Sequence, residues 1–450
     1  MRTHFRVVLA CALSLATLSC RGDGAAPVTL SNAAPKFTSA SSVSVADDSV
    51  GVIYTAAASD PDGDTLTFSI AGGDDANAFR MTPTGSLSFS APDNFEAPVD
   101  HNLDNVYSVQ IAVSDGKTSQ ILPLTVKVEN TPVPTETFPA WQHLTSAPWQ
   151  GRDSAGYAVL GDRIWLLGGW VNSFQQALRD VWFSTNGVDW TQQSAEAPWT
   201  HSDLAMSIAF KGRVWTMGGY DEGRLPEATA NNEVWSSADG NQWTLEAKAP
   251  WSPRLGAAVV VFHDKIWVLG GVERYYDGTE QSIKNDVWYS DNGRDWTNAT
   301  TSAPWSARAY HNALVFNDRI YLFAGGNYAP TFQQTNDVWS SSDGINWRRE
   351  TAKAEWMPRI WASAVVYADR MWLFGGHGRV IGDNPDTGFN MNDVWTSTDG
   401  ARWTRIDFPQ IWSARHAMAA WVKGGQLFVA GGFDGNQLSS DVWSLNLSSP

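Results

Sequence analysis

The sequence contains only two cysteines, and both lie within its first 20 residues. A disulfide framework is therefore excluded for the rest of the chain. Beyond the N-terminus no stretch stays apolar for the roughly 18 residues that a membrane-spanning helix needs. Positive charge is also scarce, because 31 Lys and Arg stand against 47 Asp and Glu. This balance excludes the basic footprint of a nucleic-acid-binding protein.

The N-terminus has the pattern of an export signal. Arg2 and Arg6 precede an apolar run at 7–18 that is too short to span a membrane. The run ends in Leu-Ser before Cys20, and this order resembles a bacterial lipoprotein signal. The resemblance implies a signal peptide at 1–19, lipidation of Cys20 and an exported protein at the outer membrane or cell surface. Because Thr17 stands where that signal usually has Leu, cleavage without lipidation stays open, and it would give a periplasmic or secreted protein.

Tryptophan is the residue that the chain has in excess: 22 of its 25 tryptophans fall on four positions of one repeat. Each copy has a Gly-Gly pair, then an acidic residue followed by Val-Trp, then in most copies a polar turn and a further Trp. The Val-Trp positions recur every 48–56 residues, at Trp182, Trp235, Trp288, Trp339, Trp395 and Trp443. This interval is typical of a propeller blade. Rings that repeat in every copy indicate packing rather than a ladder for sugar stacking.

Each copy is predicted to form four antiparallel strands, a to d. In the fifth copy they cover 362–367, 370–374 and 393–397, with strand d around Trp403. Asx-Gly turns between apolar strands favour hairpins, and such four-stranded units arranged around an axis form a β-propeller. The sixth copy ends after Trp443 without a strand d, while Trp141 precedes the first copy at nearly strand-d spacing. We therefore predict six blades over 139–448, the last completed by the N-terminal strand.

The Gly-Gly pairs with aromatic residues at blade spacing resemble the kelch repeat, over about 310 of the 450 residues. The resemblance implies an all-β, six-bladed kelch propeller of the galactose oxidase type. The copper site of galactose oxidase needs a Cys-modified Tyr, which is excluded because no cysteine follows Cys20. No cofactor is expected for the propeller. Sialic-acid mutarotases are also six-bladed kelch proteins, so a sugar mutarotase or epimerase is the alternative function, with catalytic residues unknown.

Residues 35–130 have a different texture. They lack tryptophan, and alternating apolar runs such as 106–113 predict a small β-sandwich. Acidic segments at 60–64, 93–96 and 113–116 resemble a bacterial cadherin-like domain. That resemblance implies calcium bound by Asp60, Asp62, Glu96 and Asp115, and carboxylate oxygens suit this ion. The alternative is that the acidic run at 60–64 is only a polar turn. A flexible tether at 20–34 precedes the domain, and a Pro-containing linker at 131–138 follows it.

Ligand contacts are expected on one face of the propeller. The short a–b and c–d turns share one side, so the b–c loops and d–a segments share the other, and variable loops on a rigid scaffold commonly bind ligands. Five d–a segments carry an arginine: Arg152, Arg254, Arg308, Arg359 and Arg415. One interpretation places them around the mouth of the central channel as contacts for an anionic ligand. The other pairs each with the acidic residue before Val-Trp in its own blade.

Four further residues, Tyr310, His311, Trp361 and His416, are predicted to lie just inside this mouth. They differ between blades, so packing of the repeat does not require them. A mouth of this composition suits a polar ligand. No zinc-protease, nucleophile-elbow or phosphate-loop motif occurs. We therefore predict a surface-anchored binding or adhesion module that recognises a glycan or a protein, an anionic one included, and contacts the membrane only through its lipid.

Overall fold

The computed structural model describes residues 31–46, 49, 51–90, 100–102, 104–129, 138–171, 177–221, 229–275, 282–329, 331–379 and 388–447. The signal peptide, Cys20, Glu96 and nearly all of the expected tether and linker lie outside the described residues. The chain divides into two compact units, 1–134 and 135–450. Among the described residues no helix has the length and hydropathy of a membrane-spanning segment.

The N-terminal unit is a small β-sandwich. Its strands are β1 (Lys36–Phe37), β2 (Ser42–Ala46), β3 (Tyr54–Thr55), β4 (Ala58–Ser59), β5 (Thr67–Gly72), β6 (Phe79–Met81), β7 (Ser86–Phe89), β8 (Val106–Ser114) and β9 (Ser119–Glu129), with a 3-10 turn at Ala76–Ala78. One sheet has the order β2-β9-β8-β5 and another β3-β7-β6. The alternation predicted at 106–113 is confirmed, because Tyr107, Val109, Ile111 and Val113 are all fully buried in the core.

The C-terminal unit is a propeller of six four-stranded antiparallel sheets, as the repeat predicts. Blade 1 contains β11 (Gly156–Leu160), β12 (Arg163–Gly169), β13 (Leu178–Ser184) and β14 (Trp190–Ser194); blade 2 β15 (Met206–Phe210), β16 (Arg213–Met217), β17 (Glu233–Ser237) and β18 (Thr244–Lys248); blade 3 β19 (Ala258–Phe262), β20 (Lys265–Val272), β21 (Ile283–Ser290) and β22 (Thr297–Thr300). Blade 4 contains β23 (Asn312–Phe316), β24 (Arg319–Phe323), β27 (Val338–Ser341) and β28 (Arg348–Thr351), with a small hairpin of β25 (Gly326–Asn327) and β26 (Gln333–Gln334); blade 5 β29 (Ser363–Tyr367), β30 (Arg370–Gly378), β31 (Phe389–Ser397) and β32 (Thr404–Ile406); blade 6 β33 (Ala419–Lys423), β34 (Gln426–Ala430), β35 (Asp441–Leu445) and β10 (Gln142–Ser146).

The N-terminal strand closes the ring, as predicted. Strand β10 pairs antiparallel with β35, and His143 lies opposite Trp443. Trp141, immediately before β10, is buried in the core between blades 5 and 6. Both ends of the propeller segment therefore contribute strands to the sixth blade. Strand β10 serves as its strand d, so β35 is paired on both sides.

Tryptophans pack edge to face in every blade. The tryptophan of the Ala-Pro-Trp-like segment meets the strand-d tryptophan with ring planes 84–89° apart and centroids 4.5–6.1 Å apart. The pairs are Trp149–Trp190, Trp199–Trp243, Trp251–Trp296, Trp305–Trp347, Trp356–Trp403 and Trp412–Trp141. Such pairs contribute about 0.5–1.5 kcal/mol beyond burial. The repeated tryptophans are therefore core residues.

Glycines in the c–d turns let neighbouring blades approach. A Cβ on Gly240 of blade 2 would lie 2.2 Å from Trp165 of blade 1, and its φ of +73° also favours glycine. The equivalent contacts are Gly187–Phe428, Gly293–Trp215, Gly344–Trp267 and Gly400–Tyr321. Blade 6 has no c–d turn of its own, and there Phe138 packs edge-on against Trp372 at 5.9 Å. The segment before β10 thus supplies both a strand and a ring to the closure.

Candidate functional site

The arginines of the d–a segments form buried ion pairs within their own blades. Arg152 donates to both carboxylate oxygens of Asp180, at 2.6 and 2.9 Å, and to the carbonyls of Gln150 and Gly168. Trp182 Nε1 donates to the same carboxylate at 2.7 Å. The other pairs are Arg254–Asp286, Arg308–Asp337, Arg359–Asp393 and Arg415–Asp441. The predicted intrablade pair is confirmed in five blades.

Burial limits what these arginines can contact. Their side chains are 0–6% exposed, and each guanidinium is engaged by a carboxylate and by backbone carbonyls. The geometry accounts for the repeated Arg by the architecture of each blade. We therefore assign no ligand contact to Arg152, Arg254, Arg308, Arg359 or Arg415.

Blade 2 lacks the buried Arg–Asp pair of the other five blades. Ser202 replaces the arginine, and its hydroxyl donates to the carbonyl of Leu178 in blade 1. Glu233 replaces the aspartate and lies 3.5 Å from the Lys248 ammonium, while Trp235 Nε1 donates to it at 3.0 Å. Glu233 thus pairs with Lys248, a cation that is more exposed than the arginines of the other blades. The carboxylate at this position therefore keeps a partner although blade 2 lacks the buried arginine.

A closed ring of backbone hydrogen bonds, called the collar here, surrounds the propeller axis. One residue per blade contributes: Ser154, Leu204, Gly256, Tyr310, Trp361 and Ala417. All six have φ of +54° to +60°. The N–H of each donates to the carbonyl of the collar residue in the preceding blade at 2.7–3.3 Å, and Ser154 closes the circle onto Ala417. The left-handed conformation costs a non-glycine residue roughly 1–2 kcal/mol, which the hydrogen bond between blades offsets.

Strand a of every blade lines a cavity of about 550 Å³ that begins next to the collar. Its wall is mostly Val and Ala, with Tyr157, Ser207 and His311 among the polar exceptions. His311 therefore lines this cavity and does not lie in the mouth as predicted. It directly follows Tyr310, whose backbone is left-handed. The imidazole of His311 is buried and lies near the backbone of Leu269. Burial, followed by the charge on Arg308, lowers the pKa of His311 to about 3, so this ring is neutral.

On the b–c loop side of the collar lies an aromatic group, called the mouth cluster here: Tyr275, Tyr310, Tyr328, Phe332, Trp361, His377, His416 and Phe433. Trp361 is its centre, with His416 stacked at 5.0 Å and Tyr275 nearly parallel at 6.3 Å. Tyr310 and Tyr328 each lie 5.1 Å from it. The structure thus brings three predicted mouth residues, Tyr310, Trp361 and His416, into one group.

The mouth cluster has a buried base and a half-buried rim. Tyr275, Tyr310, Trp361 and His416 are at most 9% exposed. The rim consists of Tyr328, Phe332, His377 and Phe433. Asn390 joins two of the imidazoles, since its Oδ1 lies 3.1 Å from His377 Nδ1 and 2.7 Å from His416 Nδ1. Its Nδ2 donates to the carbonyl of Phe433 at 2.9 Å.

His377 is neutral at physiological pH. Burial lowers its pKa, and the charge on Arg379 acts in the same direction, while the hydrogen bond with Asn390 opposes them. Arg379 is held over the ring of Phe332 at 4.7 Å. The mouth therefore presents aromatic faces and an uncharged imidazole beside one guanidinium.

Sequence reasoning identified part of this group. Tyr275, Tyr328, His377 and Phe433 lie in the b–c loops, which the sequence assigns to the ligand-binding face, but no sequence pattern marks them individually. Asn390 was missed, because the period of the apolar residues carries no signal for a polar side chain at the start of a strand. Its signal is the cross-strand register, in which Asn390 pairs with His377.

In the N-terminal unit, carboxylate oxygens of Asp60, Asp62 and Asp64 lie within 4.8 Å of one another. Asp60 Oδ1 also accepts the backbone N–H of the other two, and Lys117 lies 2.7 Å from Asp64. Asp64 thus joins two predicted calcium ligands. Asp115 is not part of this group: it caps a turn, where the N–H of Thr118 first and further hydrogen bonds hold its pKa well below the usual range.

Two family models match parts of the chain. Residues 256–450 match a model described as the KLHDC2/KLHL20/DRC7 Kelch-repeats domain. Residues 32–128 match a bacterial Ig domain. The second match replaces the cadherin-like resemblance by an immunoglobulin-like one, and both types share the sandwich architecture. The fold class is confirmed: a six-bladed kelch-type propeller follows a small β-sandwich.

Similar proteins have diverse names. N-acetylneuraminate epimerase of Shigella flexneri is 24% identical over 211 residues, 40% of this chain and 56% of that protein. Alpha-scruin of Limulus polyphemus is 27% identical over 146 residues, 31% and 15% respectively. The leucine-zipper-like transcriptional regulator 1 homolog of Drosophila melanogaster is 25% identical over 191 residues, 39% and 18%. The alignments thus span less than two thirds of each relative.

The solved structure of YjhT aligns with a TM-score of 0.55 and 17% identity, covering 67% of this chain and 97% of that one. At this identity the likeness concerns the fold alone. Taken together, the comparisons show that the chain carries a kelch-repeat region preceded by a domain similar to bacterial immunoglobulin domains.

Proposed function

We propose that this protein is a binding module that holds a carbohydrate in the mouth cluster. The observation that carries the proposal is the aromatic group around Trp361. Its side chains differ from those at the equivalent positions of the other blades, so the packing of the repeat does not account for them. Ligand pockets are mostly apolar or aromatic with a few well-placed polar groups, and this mouth has that composition. In the exported form expected from the sequence, the lipid at Cys20 would place the site at the cell surface.

The half-buried rim is where a sugar would make contact. Tyr328 and Phe332 offer ring faces or edges, with centroids 6.3 Å apart at 74°. His377, hydrogen-bonded to Asn390, adds a polar group beside them. An acidic sugar would meet the guanidinium of Arg379, which lies over Phe332, and not the five buried arginines. The proposal therefore covers neutral sugars as well as acidic ones.

A glycan array and calorimetric titration test this function. We expect Tyr328→Ala to weaken sugar binding at least tenfold, because Tyr328 contacts Tyr275, Phe332 and Trp361 from a half-buried position. Ile345→Ala, on a c–d turn of the opposite face, is the control and leaves affinity unchanged. Equal affinities of both variants for every bound glycan would remove the site from the mouth.

The second candidate is a sugar mutarotase or epimerase. It is favoured by the similarity to N-acetylneuraminate epimerases and by the neutral imidazole of His377, a group suited to proton transfer near neutral pH. Anomer exchange of N-acetylneuraminate measured by NMR separates the two candidates. Acceleration by the purified protein that disappears in His377→Ala would replace the binding function by this one.

We also propose that calcium binds at Asp60, Asp62 and Asp64. Three carboxylates at this distance suit a hard cation, which would have to displace the Lys117 ammonium. We expect calcium at 100 times its dissociation constant to stabilise the N-terminal unit by about 2.7 kcal/mol. Calorimetry of the full chain measures this shift. Asp62→Asn should abolish it and the exposed Asp104→Asn should not; an unchanged melting curve on adding calcium would leave the acidic run a polar turn.

A further inference from the structure

The orientation of the Asn390 amide follows from one backbone group. The carbonyl of Phe433 can only accept hydrogen bonds, and it accepts one from the His416 N–H at 3.1 Å and one from Asn390 Nδ2 at 2.9 Å. The amide nitrogen must therefore face Phe433. The amide oxygen is thereby turned towards His377 and His416.

This orientation determines where the two imidazoles carry their protons. An amide oxygen has no hydrogen to donate, so each Nδ1 that contacts it must bring the hydrogen. A neutral histidine with its hydrogen on Nδ1 has its lone pair on Nε2. His377 Nε2 is therefore a hydrogen-bond acceptor while the ring is uncharged.

Gly388 packs closely against this nitrogen and has no side chain to displace it. A Cβ on Gly388 would lie 2.3 Å from His377 Nε2. Any other residue at 388 would push the imidazole aside or cover its lone pair. The glycine is not required by a left-handed backbone, since its φ lies outside that region. The missing side chain at 388 lets the His377 imidazole keep the orientation that its hydrogen bond with Asn390 sets.

We propose that Asn390 is a positioning residue that holds His377 with its acceptor nitrogen towards the mouth, so that the site selects a sugar hydroxyl that donates a hydrogen bond there. The proposal rests on the proposed function and names one atom of the ligand contact. Replacing that hydroxyl by hydrogen or by a methoxy group removes the donor, whereas a carboxylate at the same place is repelled by the lone pair. Among the described residues, Arg379 and His416 are the charged or titratable groups that act on this ring or pack against it.

Nitrogen-15 NMR reads the tautomer directly, and the chain has only eight histidines. We expect the wild-type protein to show His377 protonated at Nδ1 and not at Nε2. The sugar found by the glycan array is then compared with its set of singly deoxygenated analogues. One analogue should bind at least tenfold more weakly to the wild type and no more weakly than the parent sugar to His377→Ala.

Asn390→Asp tests the positioning role. A carboxylate beside both imidazoles favours their protonated forms, and a protonated His377 has no acceptor. We expect the pH midpoint for sugar binding to rise by at least one unit, whereas a merely structural role would leave it in place. Asn241→Asp, an exposed change on the opposite face, is the charge-matched control. Gly388→Ala should weaken binding at least tenfold without changing the thermal midpoint.

The outcomes separate the inference from the function. Sugar binding with His377 protonated at Nε2, or with an unchanged pH midpoint in Asn390→Asp, overturns the inference and leaves the proposed function standing. No sugar binding at all, with the tautomer as derived, overturns the proposed function and the ligand contact together.

Discussion

Replacing Arg359 by methionine is expected to destabilise the propeller by about 3–5 kcal/mol. The guanidinium is fully buried and donates to both oxygens of Asp393, at 2.6 and 2.7 Å, and to two backbone carbonyls. Without it the Asp393 carboxylate, only 19% exposed, keeps little more than the hydrogen bond from Trp395 Nε1. Urea unfolding followed by tryptophan fluorescence measures the loss.

Two further variants identify the cause. Arg348→Met removes a guanidinium that is 70% exposed, and its partner Glu350 keeps the hydrogen bond from Ser340 and the nearby Arg319, so the loss should be less than about 1 kcal/mol. The double variant Arg359→Met with Asp393→Leu should recover much of the loss, because it removes the unpaired charge along with its partner. A single variant as stable as the wild type would show that the buried pair adds nothing to folding.

The pair also makes stability depend on pH. Burial alone would raise the pKa of Asp393, but the hydrogen bonds and charge of Arg359, with Trp395 Nε1, hold it below the ordinary value. The contribution is therefore complete above the ordinary pKa of about 4 and is lost as the pH falls through the lowered value. The pKa values of Asp337 and Asp441 are lowered for the same reason, by Arg308 and Arg415 respectively. Arg359→Met should lose the share of this acid sensitivity that belongs to Asp393.

Replacing Trp141 by alanine is expected to cost a further large amount, about 3–5 kcal/mol. The ring is 1% exposed and meets Trp412 edge-on at 4.5 Å, with Phe374 and Phe408 within about 6 Å. Because β10 is joined to blade 6 only by pairing, loss of this anchor should also let the strand detach. Hydrogen exchange at the amides of β35, together with urea unfolding, measures both effects.

Trp347→Ala is the matched control for closure. It truncates the equivalent strand-d tryptophan of blade 4, which meets Trp305 at 6.0 Å. There the c–d turn continues the chain, so strand d cannot leave its blade. We expect a smaller loss of stability and unchanged exchange in the neighbouring strand. Equal behaviour of the two variants would mean that closure by the N-terminal strand is not a weak point.

The blades could be predicted because their determinants are local. A Gly-Gly pair, Val-Trp and an Asx-Gly turn each specify a few neighbouring residues, and repetition of the pattern averages out errors. Closure followed from the missing strand d of the sixth copy together with the spacing of Trp141. In blade 5, however, β30 extends to Gly378 and β31 starts at Phe389, beyond the predicted bounds. The added residues mix glycines, polar residues and two isolated apolar residues, so the apolar period could not locate them.

The mouth could be predicted only in part, for a related reason. Tyr310, Trp361 and His416 stood out because they differ between blades. The arginines stood out because they recur, and recurrence turned out to mark a buried pair. Asn390 acts through a backbone carbonyl in another blade, a relation that no spacing along the chain encodes. His311 lines the strand-a cavity instead of joining the mouth cluster, and it directly follows Tyr310, whose left-handed backbone no glycine in the sequence marks.

The collar has a consequence for engineering this scaffold. Its bonds join main-chain atoms only, and its six members are already as different as serine, leucine, glycine, tyrosine, tryptophan and alanine. The collar therefore does not depend on which side chain each blade carries at this position. A displacement of one member, however, is transmitted to both neighbours through their hydrogen bonds. Substituting side chains at these six positions should therefore change the polarity of the opening that the collar surrounds, one blade at a time. The diameter of the collar should not change, because its hydrogen bonds join main-chain atoms.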